Sequence, residues 1–543
     1  MAGRQRISPN FSLGGESAEA DPLLEESFYE SSIYFAILNK RDPHRFLNGR
    51  TGSGKSAILQ QIQETRSGHT IRIDPEALSL QYIIDLDVIR YLDSLDVHLD
   101  PLFIALWKHV FVVEIIRHKY HVTSPEIKRN ILANLKERVR NDSSKRQALE
   151  YLEEFGESFW CETDERIREV TTNFEVATGF GGGVSARVPY VGSLDVGSSA
   201  HQSTSESTRS EEANRFQRIV NDTQLPRLHK MIDVLDSEIL ETTNDFTYIV
   251  IDDLDRDWVD DRLSNTLIRC LFRAVMDLQR VRNLKVVVAL RTNIFEYLDF
   301  GSRTGGQEEK IRALSLKVQW TARELLELAD ERAKVAVKGS NGTLVSGVAE
   351  LLPSKSKLKG DPFDMVLQHT LLRPRDVIAF LNEAFKVGSG KNKLTWADLE
   401  SARIPYSQLR LLALRDEWKP TFPGIGEVLE QFRGCPLSMN HQQLSAVFDR
   451  VALLSASGLF EGVVWMTEIT QPLWDATDRA TWIENYQTLV KLFYDIGFIG
   501  IRNRGEKIHY SYISPSHADS LSNLSSANSF TVHPAFRAAL DIF

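Results

Sequence analysis

The residues best suited to chemistry lie near position 50, where the chain reads Gly-Arg-Thr-Gly-Ser-Gly-Lys-Ser from residue 49. This fits the pattern GxxxxGK[ST]. Its glycines allow backbone N–H groups to turn inward around phosphate oxygens, and the following helix adds the positive end of its dipole. Lys55 is predicted to reach the β- and γ-phosphates, and the Ser56 hydroxyl to bind Mg²⁺. A chance Gly/Ser turn is the alternative, but four pattern positions are matched. The predicted ligands are ATP and Mg²⁺, bound by Gly49, Arg50, Thr51, Gly52, Ser53, Gly54, Lys55, Ser56 and Ala57.

Carboxylates follow a second apolar stretch, 248–251, which is predicted to be a buried strand. Ligands of open α/β sheets collect at the carboxyl ends of strands, which is where Asp252 and Asp253 lie. Asp252 is predicted to bind Mg²⁺ directly or through water. Asp253 or Asp255 is predicted to orient the attacking water in phosphoryl transfer. The alternative is a polar strand end that caps the next helix.

A third predicted strand, 286–290, ends in Arg291, Thr292 and Asn293. A γ-phosphate sensor belongs at this position, either the guanidinium of Arg291 or the polar side chains of Thr292 and Asn293. A surface arginine that follows a core strand is an equally good interpretation of Arg291.

Two arginines flank a proline at the start of a predicted helix, at Arg373, Pro374 and Arg375. Proline suits the first turn of a helix. The two guanidinium groups are predicted to reach phosphate when a helical lid closes. The alternative is that they pair with carboxylates such as Asp364 or Glu383.

These residues must be positioned by alternating strands, loops and helices, the pattern of a parallel α/β sheet. The predicted strands are 45–48, 71–73, 246–251, 285–290 and 314–320. The predicted domains are a loose N-terminal arm (1–25), a phosphate-loop domain (26–320), a helical lid (321–400) and a C-terminal domain (401–543). The phosphate-loop domain carries a helical insertion (about 76–240) that contains a mobile Gly- and Ser-rich segment (179–212).

The last hundred residues have the outline of a winged-helix domain. A helix at 482–496 leads into strands at 498–501 and 508–512, and a third strand lies at 530–532. The turn between the first two carries Arg502, Arg504 and Lys507. Residues 481–543 contain five basic and five acidic residues. That balance favours a protein-binding role, although the basic turn keeps DNA binding open.

The composition is that of a soluble protein of several domains: 543 residues, 42% apolar, 25% charged, with a net charge of −10. The negative net charge argues against a protein that coats nucleic acid non-specifically. The three cysteines lie far apart without a CxxC pair, so we expect a reducing cytoplasm. Residues 102–116 are the most hydrophobic stretch but include Lys108, His109 and Glu114. A buried helix is therefore predicted there, with no membrane span and no signal peptide.

Together these segments resemble a bacterial P-loop ATPase family allied to the KAP and STAND groups of signalling ATPases. The similarity is carried by the phosphate loop and by residues 251–256, 288–291, 373–378, 102–120, 159–160 and 532–536. The resemblance implies an additional-strand (ASCE) sheet ordered 5-1-4-3-2, a helical lid and a C-terminal winged helix. It also implies Mg-ATP binding at Lys55, Ser56 and Asp252. Relatives often lie in defence islands, which suggests an antiphage role. KAP members commonly carry inserted membrane helices, which this sequence lacks.

Three functions remain open. The leading hypothesis is a regulatory ATPase that changes its binding of a protein partner or effector, and it could act as a homo-oligomer. The second is a DNA-acting ATPase that uses the winged helix, and the third is a scaffold that binds ATP with negligible hydrolysis. The histidines have no metal-ligand spacing, and no nuclease, protease or deaminase pattern is present.

Overall fold

A computed structural model describes residues 7–75, 99–121, 146, 225–254, 261–298, 307–339, 344–476 and 481–543. The chain divides into two compact units. The sheet unit comprises Ser32–Gly49 and Ile58–Lys317, and the helical unit comprises Met1–Ser31, Arg50–Ala57 and Val318–Phe543. The phosphate loop therefore belongs to the helical unit, whereas the strand that precedes it belongs to the sheet unit.

Strands and helices alternate along the described sheet unit and give way to helices after it. The strands are β1 (Phe46–Gly49), β2 (Thr70–Ile73), β3 (Thr247–Ile251), β4 (Leu284–Arg291), β5 (Ser315–Lys317), β6 (Ile499–Asn503) and β7 (Ala527–Val532). The helices up to β5 are α1 (Leu24–Ser27), α2 (Ser32–Leu38), α3 (Lys55–Thr65), α4 (Asp100–Lys119), α5 (Leu225–Val234), α6 (Asp261–Asp277), α7 (Thr292–Tyr297) and α8 (Gln307–Ala313). After β5 come α9 (Ala322–Gly339), α10 (Pro362–Gln368), α11 (Pro374–Val387), α12 (Trp396–Trp418), α13 (Ile425–Glu430), α14 (His441–Ser455), α15 (Val464–Trp474), α16 (Trp482–Asp495), α17 (Leu521–Ser526) and α18 (Pro534–Arg537).

The sheet unit is built on a five-stranded parallel sheet in the order β2-β3-β4-β1-β5. Strand β4 thus lies between β1 and β3, which is the additional-strand arrangement, and the predicted order 5-1-4-3-2 is confirmed. The central strands β3 and β4 are almost entirely buried and rich in valine and isoleucine, as strands covered on both faces require. The fold is therefore an α/β P-loop fold.

One lysine lies inside this sheet unit. The Lys285 side chain in β4 is fully buried, and its ammonium group donates to the carbonyls of Ala36 and Asn39 at 3.3 and 2.8 Å, beside the end of α2. Burial lowers the pKa of Lys285 to about 7. The hydroxyl of Tyr248 in β3 donates to the Leu38 carbonyl at 2.6 Å. These bonds fix the segment that leads into β1.

Helix α4 contains the most hydrophobic stretch of the chain and is buried along most of its length, as predicted. Its Trp107 indole N–H donates to the Leu267 carbonyl of α6 at 2.9 Å. None of the described helices is long and apolar enough to cross a membrane. The segment predicted to be mobile, 179–212, lies outside the described residues.

The N-terminal segment differs from its prediction. From residue 7 onward it packs into the helical unit, where Ile7 and Leu13 are fully buried. The backbone of Ile7 exchanges hydrogen bonds with Lys391 and Gly390, and Asp21 forms a buried ion pair with Arg332. The prediction of a loose arm was therefore wrong over the described part, because polar composition hid a few apolar residues with a core to enter.

The segment predicted to be a C-terminal domain also differs in one strand. β6 and β7 pair antiparallel as expected, but residues 508–512 form only a single bridge, between Ile501 and His509. The chain then turns through hydrogen bonds to the Tyr510 carbonyl, and the Tyr512 hydroxyl lies 2.9 Å from Nε2 of the buried His533. Alternation of apolar residues there reflects packing around His533 and not a sheet, so the predicted second strand was wrong. The winged-helix assignment stays a prediction.

Candidate functional site

The phosphate loop connects β1 to α3, and its glycines take conformations that other residues rarely adopt. Gly52 has φ 76° and Gly54 has φ 94°, both in the left-handed region. Helix α3 starts at Lys55. The sequence pattern therefore corresponds to a strand, a glycine-rich turn and a helix in that order, as the motif requires.

Three successive carbonyls of the loop accept hydrogen bonds from elsewhere in the helical unit. The Arg373 guanidinium donates to the Thr51 carbonyl at 2.9 Å, the Arg375 backbone N–H to Gly52 at 3.4 Å and the Trp320 indole N–H to Ser53 at 2.8 Å. In a trans peptide the carbonyl and the N–H point in opposite directions. The N–H groups that follow the carbonyls of Thr51 and Ser53 are therefore turned to the other side of the loop.

A buried group of charges holds Arg373 in place. Its Nε lies 3.0 Å from a carboxylate oxygen of Asp376, which is fully buried and also lies 3.3 Å from Arg410. Its Nη1 lies 3.2 Å from Glu417. Burial alone would raise the pKa of Asp376, but the two guanidinium groups lower it to about 2. The same carboxylates hold the pKa of Arg373 above its ordinary value although burial opposes this.

The loop residue Arg50 extends away from the loop towards the end of α16. Its guanidinium donates to the Ile496 carbonyl at 2.8 Å and lies 3.7 Å from Glu417. A Cβ on Gly497, which has φ 79°, would lie 2.6 Å from Nη1 of Arg50, so only glycine fits there. The phosphate loop is thus attached to the turn between α16 and β6.

The second arginine of the pair, Arg375, lies against the loop. A Cβ added to Gly52 would be 2.8 Å from Cβ of Arg375. The Arg375 guanidinium donates to the Glu16 carbonyl at 2.9 Å, and the Glu16 carboxylate is paired with Arg410. The carboxylates suggested from sequence, Asp364 and Glu383, are therefore not the partners of the two arginines. Phosphate contact by Arg373 and Arg375 stays a prediction.

Two loop hydroxyls are suited to a further ligand. The oxygens Oγ1 of Thr51 and Oγ of Ser53 are buried and have no hydrogen-bond partner among the described residues. Buried polar atoms are normally satisfied, so these positions fit an anion or its bound cation. The Lys55 ammonium lies 3.2 Å from the Arg50 carbonyl, within the loop itself. The loop therefore fits the phosphates of a nucleotide.

The sheet unit contains the predicted polar residues at the carboxyl ends of β3 and β4. Asp252 is buried, and its Oδ1 accepts the N–H of Asp253 at 3.0 Å. Asp253 has φ 58°, a left-handed conformation that aspartate tolerates. In the sheet Arg291 is in register with Gly49, the residue that starts the phosphate loop. Asp252, Asp253 and Arg291 thus share one edge of the sheet.

Thr292 follows Arg291, and among the described residues its buried Oγ1 has no hydrogen-bond partner. Asp255 and the side chain of Asn293 lie outside the described part of the chain. The two residues predicted to bind the metal, Ser56 and Asp252, are not part of any cluster of three or more metal-binding side chains among the residues that the structure describes. Their roles stay predictions.

Sequence reasoning missed three residues that the structure brings to the loop. Glu417 lies in the last turn of the long helix α12, Glu16 lies in the N-terminal segment and Trp320 follows β5. These three residues gave no local signal in the sequence. Asp376, the buried partner of Arg373, did give one, because it lies three residues after Arg373 at the start of α11 and residues three apart on a helix are neighbours.

Comparisons with known proteins cover parts of the chain. A family model described as the FunZ-associated C-terminal helical domain matches residues 323–415, which run from α9 into α12. The transposon gamma-delta 80.3 kDa protein of Escherichia coli K12 is 24% identical over 323 residues, 56% of this chain. The chain spans only 41% of the length of that protein. Allergen Alt a 2 of Alternaria alternata is 31% identical over 145 residues, which are 26% of this chain and 75% of the allergen.

Two solved structures are similar over nearly their whole length at low identity. The Walker-type ATPase PABY2304 of Pyrococcus abyssi is 10% identical, with 95% of this chain and 96% of that chain covered and a TM-score of 0.37. The Aeropyrum pernix ORC1 protein, solved in complex with DNA, is 12% identical, with 98% and 96% covered and a TM-score of 0.30. Scores this low carry no structural argument, so the fold assignment rests on the strand order and the loop.

The charge network around Asp376 generates a stability prediction. Asp376→Asn leaves two buried guanidinium groups without their shared carboxylate, so the free energy of unfolding should fall by about 3–5 kcal/mol in denaturant titrations at pH 7. Glu430→Gln, which breaks an exposed pair with Arg433, is the control and should cost less than about 1 kcal/mol.

The same variant has a pH signature. The folded-state pKa of Asp376, about 2, lies below the value of about 3.9 expected in the unfolded chain. The stabilisation of the folded state by the ionised Asp376 carboxylate is therefore complete above the unfolded-state pKa of about 3.9 and is lost as pH falls towards 2. The difference in stability between the wild type and Asp376→Asn should narrow from pH 5 to pH 2, and a constant difference would contradict the assigned network.

Proposed function

We propose that this chain, which belongs to the same family as Allergen Alt a 2 of Alternaria alternata, is a regulatory ATPase that binds Mg-ATP. The observation that carries the proposal is the glycine-rich loop between β1 and α3, with its outer carbonyls bonded and two buried hydroxyls available. The additional-strand order of the sheet supports it, because this arrangement places one strand, β4, between the loop strand β1 and the acidic strand β3.

Each residue has a role in this proposal. The loop amides and Lys55 bind the phosphates, and Ser56 and Asp252 hold Mg²⁺, which neutralises phosphate charge when it is bound. Asp253 or Asp255 orients the attacking water, and Arg291 senses the γ-phosphate. The left-handed turn at Asp253 and the register of Arg291 with Gly49 support these two assignments.

The regulatory part of the proposal rests on Arg50 and Arg373. Both are buried guanidinium groups that join the loop to other segments of the helical unit, the first to Ile496 and the second to Glu417. A loop that shifts when nucleotide binds changes both sets of contacts, and the two states can then bind a partner differently. The partner is a protein effector in this proposal, and the resemblance to KAP and STAND ATPases extends the role to bacterial, antiphage defence.

DNA is the second candidate ligand, acting at the end of β6 and the turn that follows it. Arg502, Arg504 and Lys507 are exposed there. Among the relatives, one is named for a transposon. The even charge balance of residues 481–543 favours a protein ligand instead. A scaffold that binds ATP without hydrolysing it is the third candidate.

Nucleotide binding is tested at Lys55. Lys55→Ala removes a charge-assisted contact of about 1.5–3 kcal/mol, so the Kd for Mg-ATP in calorimetric titration should rise at least about tenfold while the melting temperature is kept. Lys386→Ala, an exposed lysine of α11, is the matched control and should bind like the wild type. Unchanged ATP binding by Lys55→Ala would refute the phosphate-loop assignment.

Hydrolysis is tested at the acidic turn. Asp253→Asn and Asp255→Asn should both retain ATP, but one of them should lose turnover by about a hundredfold or more, because the group that positions the water is removed. Phosphate release under single-turnover conditions measures this. If both variants hydrolyse ATP at the wild-type rate, the water is oriented by another group. If the wild type itself shows no turnover, the scaffold is the correct alternative.

The DNA candidate is tested by anisotropy of a labelled duplex across a salt series. We expect little duplex affinity at physiological salt. If DNA is bound, replacing Arg502, Arg504 and Lys507 together with serine should flatten the logarithmic salt slope by roughly 0.9 for each phosphate that the protein no longer neutralises. Sub-micromolar, salt-sensitive binding abolished by the triple change would favour the DNA-acting function over the protein partner.

A further inference from the structure

Two aromatic side chains lie beside the phosphate loop. The Trp320 indole N–H donates to the Ser53 carbonyl at 2.8 Å, and its Cζ2 lies 3.6 Å from where a Cβ on Gly54 would be. The ring of Tyr29 lies next to it, with the two ring centroids 5.8 Å apart and the planes inclined at 46°. Trp320 therefore adjoins the part of the loop that immediately precedes Lys55, and Tyr29 lies against Trp320.

Both rings are fixed by polar contacts. Trp320 is held through its bond to Ser53, and the Tyr29 hydroxyl donates to a carboxylate oxygen of Glu327 in α9 at 2.6 Å. Neither ring is fully buried, although both pack against the core of the helical unit. Large aromatic surfaces that stay partly exposed yet are held in one orientation are suited to stacking on a planar ligand, because little entropy is lost on binding.

The loop has chemically different neighbours along its length. The side chains of Arg373 and Arg375 adjoin Thr51 and Gly52, whereas the aromatic ring of Trp320 adjoins Ser53 and Gly54. A nucleoside triphosphate also has two different ends, a charged phosphate chain and a flat base. The loop amides and Lys55 suit the phosphates, and the partly exposed aromatic ring beside the loop suits the flat base.

We infer that Trp320, flanked by Tyr29, is the platform on which the nucleobase stacks. The inference rests on the proposed nucleotide-binding function and adds the residue that recognises the base. The strength of stacking on an aromatic ring depends on the area of the base and not on the hydrogen-bonding groups at its edge. The site therefore accepts purine nucleotides in preference to pyrimidine nucleotides.

The experiment compares ligands with and without a base. Mg²⁺ complexes of ATP, GTP, CTP and inorganic tripolyphosphate are titrated calorimetrically into the wild type, Trp320→Leu and Trp320→Phe. The leucine variant should bind ATP about 5- to 150-fold more weakly, the range expected for loss of one base stack, and should bind tripolyphosphate within about twofold of the wild type. The phenylalanine variant keeps a ring and should retain most of the ATP affinity and the purine preference.

The phenylalanine variant also separates stacking from support of the loop. It lacks the indole N–H that bonds to Ser53, so a purely supporting role predicts that both Trp320 variants lose ATP and tripolyphosphate affinity equally. Trp396→Leu is the matched control, because that indole N–H also bonds to a carbonyl, Ser354 at 3.2 Å, in the same unit. It should change the affinity for neither ligand.

Three results would overturn the inference. They are equal losses for ATP and tripolyphosphate, unchanged ATP affinity in Trp320→Leu, and equal affinity of the wild type for purine and pyrimidine triphosphates. If the wild type binds neither ATP nor tripolyphosphate, the nucleotide-binding function itself fails as well. If the wild type binds both ligands and the Trp320 variants bind both equally well, only the assignment of the base platform is refuted. The nucleotide-binding function then stands.

Discussion

The buried carboxylate of Asp376 is the interaction on which the rest of the helical unit depends. It accepts contacts from two guanidinium groups in a place where water cannot shield them, and one of those groups, that of Arg373, bonds to the phosphate loop. A buried charge without its counter-charge costs several kcal/mol. The position of α11, which begins at Pro374, is therefore tied to the conformation of the loop.

A buried ionic cluster of this kind is a poor source of stability when it is compared with apolar side chains of the same volume. Its contribution here is that its directional contacts fix which segments meet. Arg373 reaches Thr51, Arg410 reaches Glu16 and Arg50 reaches Ile496, so the N-terminal segment, α12 and the C-terminal domain all connect with the loop. Apolar packing could join these segments, but it could not hold specific loop carbonyls on one side.

The proposed function follows from this arrangement. A loop whose carbonyls are bonded to other segments cannot rearrange around a ligand without disturbing them, and such linkage is reciprocal. In the proposed function, a partner that binds the predicted C-terminal domain therefore alters the affinity of the loop for nucleotide. The Escherichia coli relative is longer than this chain, which spans 41% of it. The partner and biological setting are therefore proposals that rest on the chemistry of this site.

The sequence alone was sufficient for features that depend on neighbouring residues. The spacing of glycines, Lys55 and Ser56 predicted the strand, loop and helix, because the backbone conformation there requires glycine. Apolar stretches predicted the buried strands β3 and β4. The strand order, which the family resemblance implied, is confirmed.

Only the tertiary structure decided which distant residues meet. Nothing near Arg373 in the sequence points to Glu417, and nothing near Arg50 points to Ile496, because these partners lie 44 and 446 residues apart and are brought together by helix packing. The same reason explains the two errors. The N-terminal segment is ordered by a core formed elsewhere in the chain, and the pattern at 508–512 came from packing around His533, so local composition and periodicity were not enough to predict either.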